Sequence, residues 1–286
     1  ASILLPLRNF ASFLFRLASH LPLPVLHGLG FMVGWISWLA SSRYRQRLWA
    51  HASLARVGMA RTLASVGQAG CMVAELPRLW FGRPVRVGWE GAAHIEAAHA
   101  PGRGIVFLPP HMGSFEVTAQ AYAERFGQRH PITVLFRPPR QSWLQDLVAR
   151  ARRRPGLHTA PTTLAGVKQL IKALKAGETV GLLPDQVPPQ GQGVWAPFFG
   201  RPAYTMTLSA RLVHASGAVP LLAWGERLRW GRGYLVHIRP FDLAGPEGLP
   251  VDAVAAAARI NAAMEQLIAE CPQQYLWSYN RYKHPA

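Results

Sequence analysis

Apolar and polar residues follow one another along this chain with several distinct periods, and each period marks an element. From Leu21 to Ser42 there is no Asp, Glu, Lys or Arg. A run of about 20 apolar residues is enough to cross a bilayer, although Pro22, Pro24, His27 and several glycines interrupt the pattern of a simple span. Residues 5–20, with Arg8 and Arg16 among Leu and Phe, have the pattern of an amphipathic segment lying along an interface. Arg43, Arg45 and Arg47 follow at once, the charge expected on a cytoplasmic side. The expectation is an apolar membrane-associating helical segment over residues 1–42, transmembrane or monotopic, with a buried pair of core helices as the alternative.

Beyond it the period becomes helical from Tyr44 to Trp80, and Gly82 and Pro84 end that run. Short strands are expected at 85–89, 105–108, 131–136, 179–183, 218–224 and 233–238. Helices are expected at 92–99, 113–126, 141–154, 163–176, 206–215 and 251–270, with residues 184–205 as a loop. Strands alternating with helices of this length imply an α/β fold, a layered mixed or mostly parallel sheet flanked by helices. Residues 43–286 are expected to form one such domain.

Composition sharpens this picture in two ways. Charged residues are 16% of the 286 against 50% hydrophobic, where a soluble domain carries about 25% charged residues, so some apolar surface is expected to face lipid. Lys and Arg total 31 against 14 Asp and Glu, a net charge of +17. A field of that sign draws nucleic acid, anionic membrane surfaces, phosphorylated glycolipids or an acidic carrier protein. No recognition module or Cys/His finger accompanies the charge, so nucleic-acid binding is not expected. Cys71 and Cys271 have no ligand spacing and the histidines are scattered, so neither metal nor cofactor is expected.

The candidate chemistry sits where strands end, as it does in open α/β sheets. After Ile105-Val106-Phe107-Leu108 comes Pro109-Pro110-His111-Met112-Gly113-Ser114-Phe115-Glu116. Two prolines cannot continue a ladder as donors. His111 is therefore expected in a turn, Ser114 as a helix cap, and Glu116 in the first helical turn. There the Glu116 carboxylate is placed to fix the imidazole tautomer and leave the other nitrogen as a base. His237 and Asp242 repeat the spacing, but His237 lies within an alternating strand and reads as a packed or surface residue.

Two further strand ends add polar groups. Arg137, in Phe136-Arg137-Pro138-Pro139-Arg140, is a candidate to bind phosphate or a developing oxyanion. Asp185, in Leu183-Pro184-Asp185-Gln186, is a candidate to orient Arg137 or the acceptor; a surface salt bridge between the two is the alternative. Arg140 and Gln186 are candidate substrate-binding residues. Phe198, Phe199 and Arg201, in the aromatic stretch 194–203, are candidates for an acyl-chain wall or lid with a cation for an anionic group. No Gly-x-Ser-x-Gly elbow is present to supply a serine nucleophile.

His111-Met112-Gly113-Ser114-Phe115-Glu116 resembles the histidine-x4-acid motif of the lysophospholipid acyltransferase superfamily. The wider pattern is similar to the lipid A late (secondary) acyltransferases. It includes Val87-Gly88-Trp89-Glu90-Gly91, Phe136-Arg137-Pro138, Leu183-Pro184-Asp185-Gln186, Pro197-Phe198-Phe199-Gly200-Arg201-Pro202-Ala203 and Tyr275-Leu276-Trp277-Ser278-Tyr279-Asn280-Arg281-Tyr282-Lys283. The resemblance implies an O-acyltransferase with His111 and Glu116 as the catalytic pair, assisted by Arg137 and Asp185. It implies an acyl carrier protein thioester as donor, a glycolipid acceptor, and work on the cytoplasmic face of the bacterial inner membrane. Acylation of lysophospholipid or another membrane lipid, with a coenzyme A or carrier-protein donor, is the alternative activity. A basic nucleic-acid-binding protein or an inactive membrane-associated protein are the rivals from other classes.

Overall fold

The computed structural model describes residues 12–136, 142–244 and 252–285. After a helical stretch at 12–18, the chain runs through four helices: α1 (Leu23–Ala40), α2 (Ser42–Leu54), α3 (Met59–Ala74) and α4 (Leu76–Phe81). The single helix expected over Tyr44–Trp80 is thus three. Arg56 takes a positive φ of 54° between the first two, and Pro77 opens the third. Then follow β1 (Val87–Glu90), α5 (Ala93–His99), β2 (Ile105–Leu108), α6 (Phe115–Phe126), β3 (Ile132–Phe136) and α7 (Ser142–Ala151). Next come β4 (Leu157–Pro161), α8 (Leu164–Lys175), β5 (Thr179–Gly181), β6 (Gly193–Phe198), β7 (Arg201–Met206) and α9 (Leu208–Ser216). The series ends with β8 (Val219–Arg227), β9 (Tyr234–Pro240) and α10 (Ala253–Glu270).

Seven strands form one sheet in the order β1-β9-β8-β2-β5-β3-β4, parallel throughout except for the β8–β9 pair. This is the expected α/β architecture with a mixed, mostly parallel sheet. β4 is the strand the hydropathy pattern does not reveal. It is an edge strand pairing with β3 alone, and three of its five residues are exposed, so no apolar alternation announces it. Residues expected as a loop hold the antiparallel hairpin β6–β7.

Central strand β2 is buried at all four positions. A strand covered on both faces reads as a continuous apolar run. Ile105 and Phe107 pack on one face with α6 residues Val117, Ala121 and Tyr122. Val106 and Leu108 pack on the other with α10 residues Ile260, Met264 and Leu267. Each face therefore has its own core.

α1 packs against α3 through small residues. Gly30 and Gly34 face Gly67 and Gly70 so closely that a Cβ on Gly70 would collide with the Gly30 carbonyl. Close backbone approach through glycine is the packing that apolar helices use in lipid. The rest of α1 is open: Val25, Leu29, Met32, Ile36 and Leu39 are exposed large apolar residues. With 18 residues, α1 is the one helix among the described residues long and apolar enough to cross a membrane. It is consistent with membrane attachment.

Candidate active site

β2 carries the chain out of the sheet at Leu108, and Pro109-Pro110 ends the ladder. The turn that follows closes on Gly113, whose φ is 57° and whose position admits no side chain, because a Cβ would collide with the Gly225 carbonyl. Backbone bonds pin it on both sides. Gly113 N donates to Gln274 O at 2.9 Å, Ser114 N to Gly225 O at 2.8 Å, and Leu276 N to His111 O at 3.1 Å. Met112 bridges Tyr275. The C-terminal segment therefore acts as a brace for the histidine turn. Ser114 sits at the N-cap of α6 but makes no capping bond, contrary to expectation, and its hydroxyl is buried without a partner among the described residues.

β5 is the hydrogen-bonded neighbour of β2, so its exit places Asp185 beside His111. Asp185 is 2% exposed, and both its oxygens face the histidine. Oδ1 lies 2.7 Å from His111 Nδ1, and Oδ2 accepts the His111 backbone N–H at 2.8 Å. A carboxylate at Nδ1 makes that nitrogen the donor and leaves Nε2 as the acceptor. Gln186 then donates its amide to Nε2 at 2.9 Å. Burial works against a charged Asp185, but His111 through its charge and hydrogen bonds, aided by Arg281, holds the carboxyl below its ordinary value.

This arrangement corrects the expected pairing of imidazole and acid. The group that fixes the tautomer is Asp185, 74 residues away in sequence, rather than Glu116, five residues on. Glu116, on the first turn of α6, is 5% exposed and accepts from Arg152 and from Trp80 Nε1, the latter at 3.2 Å. Asp185 orients the histidine; Arg137, the other partner expected for it, lies outside the described residues. The chain topology explains the exchange: a parallel neighbour strand delivers its exit residue level with the turn, while the start of α6 leads Glu116 toward α4.

His111 and Glu116 both line a cavity of about 680 Å³ whose walls include Phe15, Phe107, Phe136 and Leu144. The His111 side chain is 19% exposed into this region. Gln186 lines it as well. A mostly apolar hollow with a few convergent polar groups is the general form of a small-molecule site. Arg137 and Arg140 lie outside the described residues; Phe136, immediately before them, contributes to the wall.

Phe198, Phe199 and Arg201 do not line this cavity, which corrects the expectation of an acyl wall or lid there. They form the tip of the β6–β7 hairpin. Phe198 is 2% exposed beneath Arg281. Phe199 N donates to Glu265 at 2.6 Å, and Arg201 stacks over the Tyr282 ring. Arg281 fastens the hairpin from inside by donating to Tyr204 O at 2.6 Å and Thr205 Oγ1 at 2.7 Å. Two partners of Glu116, Trp80 and Arg152, were not foreseen. Arg152 belongs to the basic cluster Arg150–Arg154, and nothing in the sequence separates its inward side chain from the others.

A second polar knot lies directly behind the turn. Glu75 and Arg227, 1% and 4% exposed, meet through bonds of 2.6 and 3.0 Å. Tyr234 donates to Glu75 at 3.0 Å, and His27 of α1 lies 3.2 Å from it. Arg227 also donates to Gly113 O at 3.0 Å. Burial alone would raise Glu75, yet the charge of Arg227 and the hydrogen bonds from His27 and Arg227 hold it at about 2. The knot joins the N-terminal helices α1 and α3 to the backbone that carries His111.

Residues 53–284 match the model of the bacterial lipid A biosynthesis acyltransferase family. The chain is 28% identical over 282 residues to a lipid A biosynthesis lauroyltransferase of Escherichia coli (strain K12), covering 93% of this chain and 88% of that protein. It is 29% identical over 230 residues to a lipid A biosynthesis palmitoleoyltransferase of the same organism, covering 79% and 71%. A lipid A biosynthesis acyltransferase of Haemophilus influenzae is 28% identical over 281 residues, covering 92% and 86%.

Proposed function

Since the chain belongs to the bacterial lipid A biosynthesis acyltransferase family and is an O-acyltransferase, we propose that it moves a fatty acyl chain from an acyl carrier protein thioester to a hydroxyl of a lipid A precursor, at the cytoplasmic face of the inner membrane. The observation that carries this reading is the His111–Asp185 pair at the wall of a mostly apolar cavity of about 680 Å³. Nδ1 is committed to the carboxylate, so Nε2 is the nitrogen free to accept a proton, and an acceptor hydroxyl takes the place held by the Gln186 amide. Nε2 removes the hydroxyl proton as the oxygen attacks the thioester carbonyl. Asp185 stabilises the imidazolium that results. Collapse of the tetrahedral adduct expels the thiolate, which takes the proton back from Nε2. No acyl-enzyme is formed.

Arg137 is proposed to stabilise the oxyanion, and Arg140 to bind substrate. Glu116, neutralised by Arg152 at the cavity wall, is proposed to orient the acceptor rather than the imidazole. The acyl chain occupies the apolar part of the cavity.

The direct test is mass spectrometry of purified protein mixed with carrier-protein and coenzyme A thioesters of matched chain length, against a lipid A precursor and lysophospholipid. A mass gain of one acyl group on the lipid A precursor with the carrier-protein donor is expected. Acylation of lysophospholipid alone would replace the proposed acceptor.

A further inference from the structure

α4, α6 and the segment after α7 each divide their side chains between two cavities. Trp80, Glu116 and Arg152 face the His111 cavity, whereas Leu79, Val117 and Arg154 face a second one of about 350 Å³. Three arginines, Arg78, Arg83 and Arg154, line the second cavity against a single carboxylate, Glu124. None of the three makes a salt bridge among the described residues. Arg154 is fixed by a 2.5 Å bond to Leu79 O, and Arg78 reaches Ser19 O at only 3.5 Å. The Nε of Arg78 and the amide nitrogen of Gln120 are both buried with no partner among the described residues. Burial also lowers the Arg154 pKa, with Glu124 and Glu116 only partly opposing it.

Buried donors without acceptors are uncommon and call for an explanation. Both residues belong to the wall of the open volume, beside Arg83 and Arg154. What this volume lacks is negatively charged oxygen, and more of it than one carboxylate carries. A phosphoryl group supplies three such oxygens, and guanidinium forks match it. The cavity also has an exposed apolar neighbour. Ser19, to which Arg78 reaches, follows a helical stretch whose Phe13, Leu14 and Leu17 are exposed.

We propose that the cavity bounded by Arg78, Arg83, Arg154 and Gln120 binds the phosphoryl group of a membrane-borne lipid headgroup. That headgroup then lies one helix face away from the acylation centre, so the site orients the acceptor as well as retaining it. The role in orienting an acceptor rests on the acyl-transfer reading above, whereas binding of the phosphoryl group does not.

The test is calorimetric titration of the full chain in detergent with dihexanoyl phosphatidate, dihexanoyl phosphatidylcholine and inorganic phosphate. Arg83 is exposed, so Arg83→Gln removes one cation with little risk to folding; Arg78→Gln/Arg83→Gln removes two. Lys168→Gln/Arg211→Gln, at exposed sites elsewhere, is matched to the double variant in charge. Phosphatidate is expected to bind at least tenfold tighter than either other probe. Arg83→Gln should weaken it by about tenfold, as for one charge-assisted bond, and the double variant further. The charge-matched control should stay within about twofold of wild type.

Equal losses in the control, or no preference for phosphatidate over phosphatidylcholine, would overturn the site. Inorganic phosphate binding as tightly as phosphatidate would overturn the lipid as its source. His111→Ala should leave these affinities unchanged, and a wild-type chain that discriminates among the probes yet transfers no acyl group would remove acyl transfer while leaving the anion site in place.

Discussion

Two hydrogen bonds accepted by one carboxylate decide what His111 is able to do. Asp185 holds both the ring nitrogen and the backbone N–H of the same residue, so the imidazole has one tautomer and one orientation. Removing the base in His111→Ala is expected to abolish acyl transfer with the fold intact, read by turnover together with circular dichroism. Asp185→Asn keeps the shape but lets the amide stabilise the wrong tautomer. It should lower kcat by about 10²- to 10⁴-fold with KM nearly unchanged, measured by steady-state kinetics. Loss in KM alone would show Asp185 binding substrate instead. Part of this was legible in the residues themselves. His111 and Asp185 both follow apolar runs that end in proline, which marks a strand exit. Their pairing was not legible, because local spacing favoured Glu116, and only strand order brings residue 185 to residue 111.

Among the elements, the turn between β2 and α6 is where the backbone has least freedom. Gly113→Ala should push that backbone away from Gly225 and strain a positive φ. The expected result is a loss of about 1–3 kcal/mol in stability and a larger loss in turnover, followed by denaturant melts and kinetics on the same preparation. Next to it, the Glu75–Arg227 pair ties α3 to β8 and to the turn. The folded carboxyl is held at about 2 against an ordinary value of 4.5. A depressed carboxylate contributes stability above its unfolded pKa, and that stability drains away as pH falls through the folded value. Acid unfolding followed by tryptophan fluorescence should therefore steepen between pH 4.5 and about 2. Glu75→Gln should flatten that dependence while costing about 3–5 kcal/mol at neutral pH, because Arg227 is left buried and unpaired.

Taken as a whole molecule, the protein joins an apolar helical face to a strongly basic remainder. Val25, Leu29, Met32 and Ile36 are spaced to form one exposed stripe on α1, opposite the glycines that pack on α3. Leu29→Glu/Ile36→Glu should leave the α1–α3 contact untouched. Each apolar side chain withdrawn from lipid forfeits about 1.5–3 kcal/mol, so vesicle flotation should show at least a hundredfold drop in partitioning. Unchanged flotation would place membrane attachment elsewhere, with the net charge of +17 as the other source of adhesion.

Periodicity alone was enough to establish the layered α/β order, the apolar N-terminal helix and the strand exits that carry polar groups. These are local properties: a buried central strand must be apolar at every position, and proline must end it. Partner choice belongs to the tertiary structure. Arg152 turns inward to Glu116 while its neighbours in the same basic run do not share that contact. Phe198 and Arg201, polar and aromatic in a way that suggests a substrate wall, serve to pack a hairpin against the C-terminal segment. β4 stays hidden because an exposed edge strand has no apolar alternation to display. Contacts between residues 74 or 152 positions apart depend on strand order and on helix burial, and a linear pattern holds neither.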